Sequence, residues 1–144
     1  MDLRTEIEIP GPPGPIWAVL TDFRSYPIWN PYLAAVRGRL KVGAELRVLV
    51  SLLDGSELRL RSRITSVTSE RELRWKASRW LPALLTIETA FWLEPQGEQS
   101  TRVVHQQSVS GRLMRQLAPD VTLTMRGMVH MNEALKQRVA EATE

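Results

Sequence analysis

The chain has 144 residues, of which 43% are hydrophobic and 24% are charged, and its net charge at pH 7 is +3. This length is typical of one domain, so residues 1–144 are predicted to form a single one. The chain has no cysteine, which excludes disulfides, thiol nucleophiles and thiolate metal sites, and two histidines are too few for a three-histidine site. None of the eight glycines forms a phosphate-binding loop pattern. We therefore expect no metal and no cofactor.

Charge and hydropathy favour a soluble protein of the cytoplasm. No apolar run approaches the ~20 residues that span a bilayer, and no apolar signal-peptide segment follows the N-terminus. We expect no integral membrane segment. The small positive excess is weak support for nucleic-acid binding, so no nucleic-acid partner is expected.

The first third of the sequence predicts a strand and two short helices. Residues alternate between apolar and charged over Leu3–Ile9, which is the period of a half-buried strand. Prolines at positions 10, 12, 13 and 15 end it and suit the start of a helix, predicted over Ile16–Leu20. A second short helix is predicted to stop at Trp29, because Pro31 pushes the preceding residue towards extended geometry.

The hairpin that follows can be predicted down to its register. A two-residue turn at Asp54 and Gly55 would place the apolar face of one strand beside the arginine face of the next. A three-residue loop, residues 53–55, pairs Val50 with Leu58 instead and gives Gly55 the position that needs a positive φ. By the same register Val48 pairs with Leu60, Ala44 with Ile64 and Glu45 with Arg63. We predict the three-residue loop.

Three more strands and one long helix complete the chain. The strands are predicted at Glu72–Ser78, Thr86–Glu94 and Thr101–Val109, and the short turns between them imply an antiparallel meander. Helical spacing then predicts one buried stripe: Leu117, Val121, Met125, Met128, Asn132, Leu135 and Val139. Asp120 suits the positive end of the helix dipole. The predicted fold is therefore α+β, with a curved antiparallel sheet of about seven strands around a long C-terminal helix.

Several segments, in this order, resemble the START-related SRPBCC superfamily, which includes the polyketide cyclase/dehydrase-like group. They are Ile16–Phe23, Tyr26–Pro31, Glu72–Trp75, Phe91–Pro95, Thr101–Val103 and Met131–Lys136. The resemblance spans essentially the whole chain. It implies a bacterial-type helix-grip domain with a hydrophobic cavity between the sheet and the last helix, but it does not fix a reaction.

Three functions are consistent with this resemblance. The favoured one is binding or transport of an apolar small molecule: a lipid, a polyketide or an aromatic metabolite. The second is a cyclase, aromatase or dehydratase that uses the same cavity, and the third is a protein-interaction module. A dioxygenase is excluded, since the residues do not supply a set of iron ligands.

The strand over Thr101–Val109 carries the candidate polar site. Its alternation and the resemblance turn His105 and Gln107 inward. His105 is the one catalytic candidate if the protein is an enzyme, since a half-buried imidazole titrates near neutrality; the alternative is a hydrogen-bonded core histidine. Gln107 stands where the resemblance implies a glutamate, so the carboxylate base is missing and binding is favoured over catalysis. In an enzyme, Gln107 or Arg79 would polarise a carbonyl.

The remaining ligand-binding candidates are apolar or lie at the presumed cavity mouth. Large side chains that line a pocket are also ordinary core residues, so both interpretations stay open for most of them. The loop after Arg79 is almost wholly apolar and is interpreted as a lid, as a cover over the sheet end, or as a dimer contact. Asn132 either faces the cavity or satisfies a backbone group. The predicted set is Trp29, Leu60, Trp75, Arg79, Trp80, Phe91, His105, Gln107, Met125, Met128 and Asn132.

Two outward features suggest surface roles. Arg59, Arg61 and Arg63, with Arg47 beside Arg61, form a basic strip that lacks the aromatic side chains nucleic acid would stack on, so it is interpreted as a solvated face. Trp92 has outward parity, which points to a homodimer contact. His130 falls off the helical stripe and is not a site candidate.

Overall fold

Seven antiparallel strands form one curled sheet in the computed structural model, which describes residues 1–79, 84–117 and 120–143. The strands are β1 (Asp2–Pro10), β2 (Leu33–Arg37), β3 (Glu45–Ser51), β4 (Glu57–Thr68), β5 (Glu72–Arg79), β6 (Leu85–Pro95) and β7 (Ser100–Ser110). Their order across the sheet is β1-β7-β6-β5-β4-β3-β2. β2 to β7 therefore form the predicted meander, and β1 joins it beside β7.

Four helices complete the described part of the chain. They are α1 (Pro13–Thr21), α2 (Tyr26–Trp29), α3 (Met114–Leu117) and α4 (Val121–Ala142), and a single 3₁₀ turn, Phe23–Ser25, precedes α2. Pro13 starts α1, where its missing N–H costs nothing, and α2 ends at Trp29 as predicted. The α+β helix-grip architecture is confirmed. No helix in the described ranges is long and apolar enough to cross a bilayer.

The predicted register of the β3–β4 hairpin is confirmed. Val50 lies opposite Leu58, and Glu45 lies opposite Arg63. The backbone N–H of Leu52 donates to the Ser56 carbonyl at 2.9 Å, which leaves a three-residue loop, and Gly55 has a φ of +87°. This register puts the apolar residues of both strands on the inner face and the arginines on the outer face.

The stripe predicted for the last helix is correct in its second half and wrong at its start. Leu117 belongs to the separate helix α3, and Val121 is 43% exposed. The main helix begins after Asp120, whose carboxylate caps it by accepting the Leu123 N–H at 3.0 Å. The buried residues of α4 are Thr124, Gly127, Met128, Met131, Asn132, Leu135 and Val139. Gly127 is among them, so α4 packs against the rest of the fold at this position.

Candidate functional site

The candidate site lies where the inner face of β7 meets β1, β6 and α4. The sheet register places Thr5 of β1 and Phe91 of β6 on either side of His105. Two residues further along β7, Leu3 and Thr89 flank Gln107 in the same way. Side chains at paired positions share a face of the sheet, so two rows of mixed polar and apolar groups face the helix.

His105 is completely buried and stacks on an aromatic wall. The centroid of its ring lies 4.2 Å from that of Phe91 at an interplanar angle of 26°, and 6.1 Å from that of Tyr32. Trp75 extends the wall, with its ring 5.7 Å from Phe91. Neither Nδ1 nor Nε2 of His105 has a hydrogen-bond partner among the described protein atoms. A neutral imidazole has one donor and one acceptor, and leaving such groups unpaired in the interior costs about 1–3 kcal/mol each.

The burial of His105 corrects the expectation of a half-buried group that titrates near neutrality. Burial disfavours the charged form and lowers the pKa of His105 to about 3. The imidazole is therefore neutral at pH 7. In that state it can donate one hydrogen bond and accept another, but it is a weak base.

Gln107 is paired with a residue that the sequence did not single out. The hydroxyl of Tyr32 donates to Oε1 of Gln107 at 2.6 Å, and both side chains are buried. Burial raises the pKa of the Tyr32 phenol far above its usual value, although the bond to Gln107 acts in the opposite direction. Tyr32 is therefore a neutral hydrogen-bond donor at any physiological pH.

α4 closes over this cluster at two points. The Nδ2 group of Asn132 donates to Oγ1 of Thr5 at 2.9 Å, and the Thr5 hydroxyl donates in turn to the His105 carbonyl at 3.4 Å. Asn132 thus binds a side chain of the sheet, that of Thr5, and not a backbone group. At the second point Gly127 faces the Tyr32 ring, where an added Cβ would lie 2.4 Å from Cδ1.

We expect Gly127→Ala to destabilise the protein by about 1–3 kcal/mol, the usual cost of overpacking a core. In an open helix the same change is stabilising, because alanine is the better helix former. Here the methyl group pushes the Tyr32 ring away and weakens its bond to Gln107. Urea denaturation measures the free energy of unfolding. In a Tyr32→Ala background the cost should largely disappear, and an undiminished cost would contradict the proposed clash.

The predicted site residues separate into a central group and a peripheral one. Phe91, Trp75, His105 and Gln107 lie together on the inner face of the sheet, and Met128 and Asn132 are buried on α4. Met125 is only partly buried. Trp80 and the side chain of Arg79 lie outside the described part of the chain.

Trp29 and Leu60 lie away from the His105 cluster. Trp29 packs on Tyr26 at 5.2 Å and lines a surface groove of about 260 Å³ between α2 and α4. Leu60 is buried in β4, and a groove on the outer face of the sheet reaches it. Neither residue joins the polar cluster.

The grooves that the structure shows around the described residues open to solvent, and their volumes range from about 260 to 740 Å³. None of these five is lined by His105, Gln107 or Phe91. In the described part of the chain, buried side chains fill the space beneath α4, including those of Tyr32 and Met128. His105 is completely buried, so a ligand beside it requires some of the surrounding side chains to move.

The largest of these surface grooves lies beside Trp92, the residue predicted to mark a dimer contact. Trp92 is half-buried, its indole N–H donates to Glu72 at 2.7 Å, and the Arg74 guanidinium lies 5.5 Å from its ring. Contacts within the chain thus account for its outward position. The homodimer remains a prediction.

Comparison with known proteins identifies the family. The family described as "polyketide cyclase / dehydrase and lipid transport" matches residues 1–142. The chain belongs to this family. No curated protein matches the sequence.

Several solved structures share the fold over nearly the whole chain. An aromatase/cyclase from a Streptomyces species superposes with a TM-score of 0.77 at 16% identity, covering 100% of this chain and 96% of the other. A START superfamily protein from Mycobacterium smegmatis gives 0.74 at 19% identity, covering 98% of both chains. Norcoclaurine synthase from Thalictrum flavum, solved with dopamine and hydroxybenzaldehyde, gives 0.71 at 15% identity, covering 98% of this chain and 87% of the other. At these identities the likeness establishes the fold alone.

Sequence reasoning missed Tyr32, Thr5 and Gly127 in this family member's site. Gly127 could have been found from the sequence, because a glycine inside an otherwise periodic helix often marks a close approach of another group. Tyr32 could not, since nothing in one sequence says which strand a residue before β2 will face. Thr5 is buried on the inner face of β1, but its partner Asn132 is 127 positions away, so no local pattern connects the two.

Proposed function

We propose that this protein binds an uncharged, largely apolar small molecule between the inner face of β7 and α4, with His105 as its polar anchor. The observation that carries the proposal is the completely buried imidazole with both nitrogens unpaired. A ligand oxygen that hydrogen-bonds to one of these nitrogens would remove part of the free-energy cost of burying it without a partner. Membership of a family with lipid transport and polyketide chemistry in its description supports the same function.

The polarity of the interior argues for a ligand without charge. Apart from His105 and the hydroxyl and indole N–H groups of buried tyrosines and tryptophans, the buried polar side chains of the described ranges are threonine, serine, asparagine and glutamine. His105 stays neutral, so these residues offer no counter-ion to a buried carboxylate or ammonium. Burying an unpaired charge is far more costly than burying a hydroxyl or carbonyl that is hydrogen-bonded. We therefore expect hydroxyl, ketone or phenol groups on the ligand.

Tyr32 and Gln107 supply a second anchor, because a ligand group can replace one partner of the hydrogen bond between them. Their bond already satisfies both groups, so a ligand carbonyl that accepts from Tyr32 replaces one hydrogen bond by another. The flat rings of Phe91 and Trp75 suit an aromatic or polyene face. Rotation of Tyr32 away from Gly127 would make the room.

Catalysis of a cyclisation or dehydration is the second candidate. It is favoured by the grouping of an imidazole, a phenol and an amide, which can together polarise a carbonyl. It is disfavoured by the neutral, weakly basic state of His105. Binding is for that reason the main proposal.

Native mass spectrometry of the protein purified from the cells that express it tests this proposal. We expect a non-covalent adduct of one small, uncharged molecule per chain, which organic solvent extracts with unchanged mass. In His105→Phe, purified side by side, we expect the adduct to fall at least tenfold, since one hydrogen bond to a buried anchor and its desolvation are worth about 1.4 kcal/mol or more.

His130→Phe is the matched control, because His130 is exposed on α4. It should carry the adduct at the wild-type level. Equal adducts in wild type and His105→Phe, or a wild type that binds no molecule from a total lipid and metabolite extract, would contradict the proposed site. An extracted molecule that differs in mass from the one supplied would instead support catalysis.

A further inference from the structure

The outer face of β2, β3 and β4 carries a concentrated positive charge. Five arginines and two glutamates, Glu45 and Glu57, occupy its outward positions, an excess of three cations that equals the net charge of the whole chain. The arginines are Arg37, Arg47, Arg59, Arg61 and Arg63. The rest of the chain thus carries no net charge, and this face accounts for the positive excess of the molecule.

Three of these arginines face one another directly across the strands. Arg37 is opposite Arg47, and Arg47 is opposite Arg61. Like charges at directly opposed positions destabilise a sheet. We call Arg37, Arg47 and Arg61, together with Arg59, the arginine row.

The arginine row is poorly neutralised within the chain. One carboxylate, that of Glu45, lies 3.8 Å from Arg47 and 3.7 Å from Arg61, and those two arginine side chains are 71% and 79% exposed. Within the described ranges, Arg37 and Arg59 form no ion pair. The row lines a groove of about 460 Å³ whose floor includes the half-buried Ala35 and Leu49.

The turn next to the arginine row combines cations with exposed aliphatic side chains. Between Gly38 and Gly43 the sequence reads Arg39, Leu40, Lys41, Val42, and the leucine and valine are 38% and 57% exposed. The turn is held in place, because the Gly43 N–H donates to the Ile64 carbonyl at 2.8 Å and Arg63 donates to the Gly43 carbonyl at 2.6 Å. Leu40 and Val42 thus lie in the connection between β2 and β3, which joins Arg37 to the strand that carries its partner Arg47.

We propose that the arginine row and the turn at residues 38–43 dock onto an anionic phospholipid surface. Guanidinium groups bind phosphate in a bidentate manner, and basic side chains near an anionic bilayer each contribute to binding. Aliphatic side chains beside them enter the boundary between headgroups and acyl chains. A nucleic acid would favour aromatic side chains for stacking, and the outward positions of β2, β3 and β4 hold none. The proposal does not depend on the ligand site at His105.

Vesicle co-sedimentation of the purified full chain tests this docking. The probes are vesicles of phosphatidylcholine alone and of phosphatidylcholine with 30% phosphatidylglycerol, at low and physiological salt. We expect binding to the anionic vesicles, weaker binding at higher salt, and little binding to phosphatidylcholine alone. Arg47→Gln with Arg61→Gln should lower the partition coefficient roughly 25-fold, or about fivefold for each arginine.

Two further variants separate this surface from a general effect of charge. Arg126→Gln with Lys136→Gln removes the same charge from exposed positions of α4 and should bind like the wild type. Leu40→Ser with Val42→Ser should also reduce binding, although the charge is unchanged. Circular dichroism establishes that each variant is folded.

Several outcomes would overturn the docking proposal. They are no binding to anionic vesicles, an equal loss in the α4 variant, and binding unaffected by the turn substitutions. If the arginine-row variant instead loses binding to an acidic polypeptide or to single-stranded RNA, and the wild type ignores vesicles, the face serves a protein or a nucleic acid.

Discussion

Replacing His105 with phenylalanine is expected to raise the free energy of unfolding of the ligand-free protein by about 1–3 kcal/mol. The imidazole is completely buried and both of its nitrogens lack partners in the described protein, so an apolar ring of similar shape removes an unsatisfied donor and acceptor. Phenylalanine also keeps the stack on Phe91. The midpoint temperature of thermal unfolding should rise by about 2–4 °C for each kcal/mol of stability gained. The same change should weaken ligand binding, so stability and function move in opposite directions.

His105→Leu and His130→Phe complete this experiment. Leucine removes the polar nitrogens without providing a ring. A gain in stability in both His105 variants would therefore come from the loss of the unpaired polar groups and not from ring stacking. His130 is exposed, and its substitution should leave stability within about 0.5 kcal/mol of the wild type. If both His105 variants are less stable than the wild type, His105 has a hydrogen-bond partner in solution and its role as an unpaired anchor is wrong.

The stability of the wild type is expected to fall steeply with acid because of the same residue. Burial lowers the pKa of His105 to about 3, from the 6.5 of an unperturbed histidine. Between these two values the unfolded chain binds a proton that the folded chain does not, so stability is lost as the pH falls below 6.5. The loss is about 1.4 kcal/mol for each pH unit, and it approaches 5 kcal/mol near pH 3.

Urea denaturation at pH 7.0, 6.0, 5.0 and 4.5 measures this slope in the wild type and in His105→Phe. Asp54 and Glu72 also have lowered pKa values, because both accept side-chain hydrogen bonds from serine, so they add acid lability at lower pH in both proteins. The difference between the two proteins isolates His105. We expect that difference to grow by about 2 kcal/mol between pH 6.0 and 4.5. A parallel pH dependence in the two proteins would show that His105 titrates normally and is not buried.

Local features of this fold could be predicted from the sequence because their causes are local. The β3–β4 register follows from loop length and from the alternation of Val48, Val50, Leu58 and Leu60, which lie within thirteen residues of one another. The inward direction of His105 follows likewise from the alternation of β7. The start of the stripe was misplaced because helical spacing continues formally back to Leu117, whereas the cap at Asp120 sets where α4 begins.

The state of His105 could not be predicted, because distant segments create it. Phe91 reaches it from β6 and Tyr32 from the segment before β2, and α4 covers these side chains through Asn132 and Gly127. Complete burial converts a residue expected to titrate near neutrality into a neutral one. The arginine row likewise could be predicted only in part. Its β4 members were visible in the sequence, but the addition of Arg37 depends on the register of β2 against β3.

The central claim is that His105 is a buried, neutral and unpaired anchor until a ligand binds. Nitrogen-15 NMR of the His105 ring measures this directly, in protein stripped by organic solvent and refolded and in protein that retains its bound molecule. We expect the stripped protein to show a neutral ring from pH 7 to pH 4.5, and we expect one ring nitrogen to shift when the molecule is present. A ring that gains a proton near pH 6.5, or whose nitrogen shifts are the same in both samples, would contradict the claim.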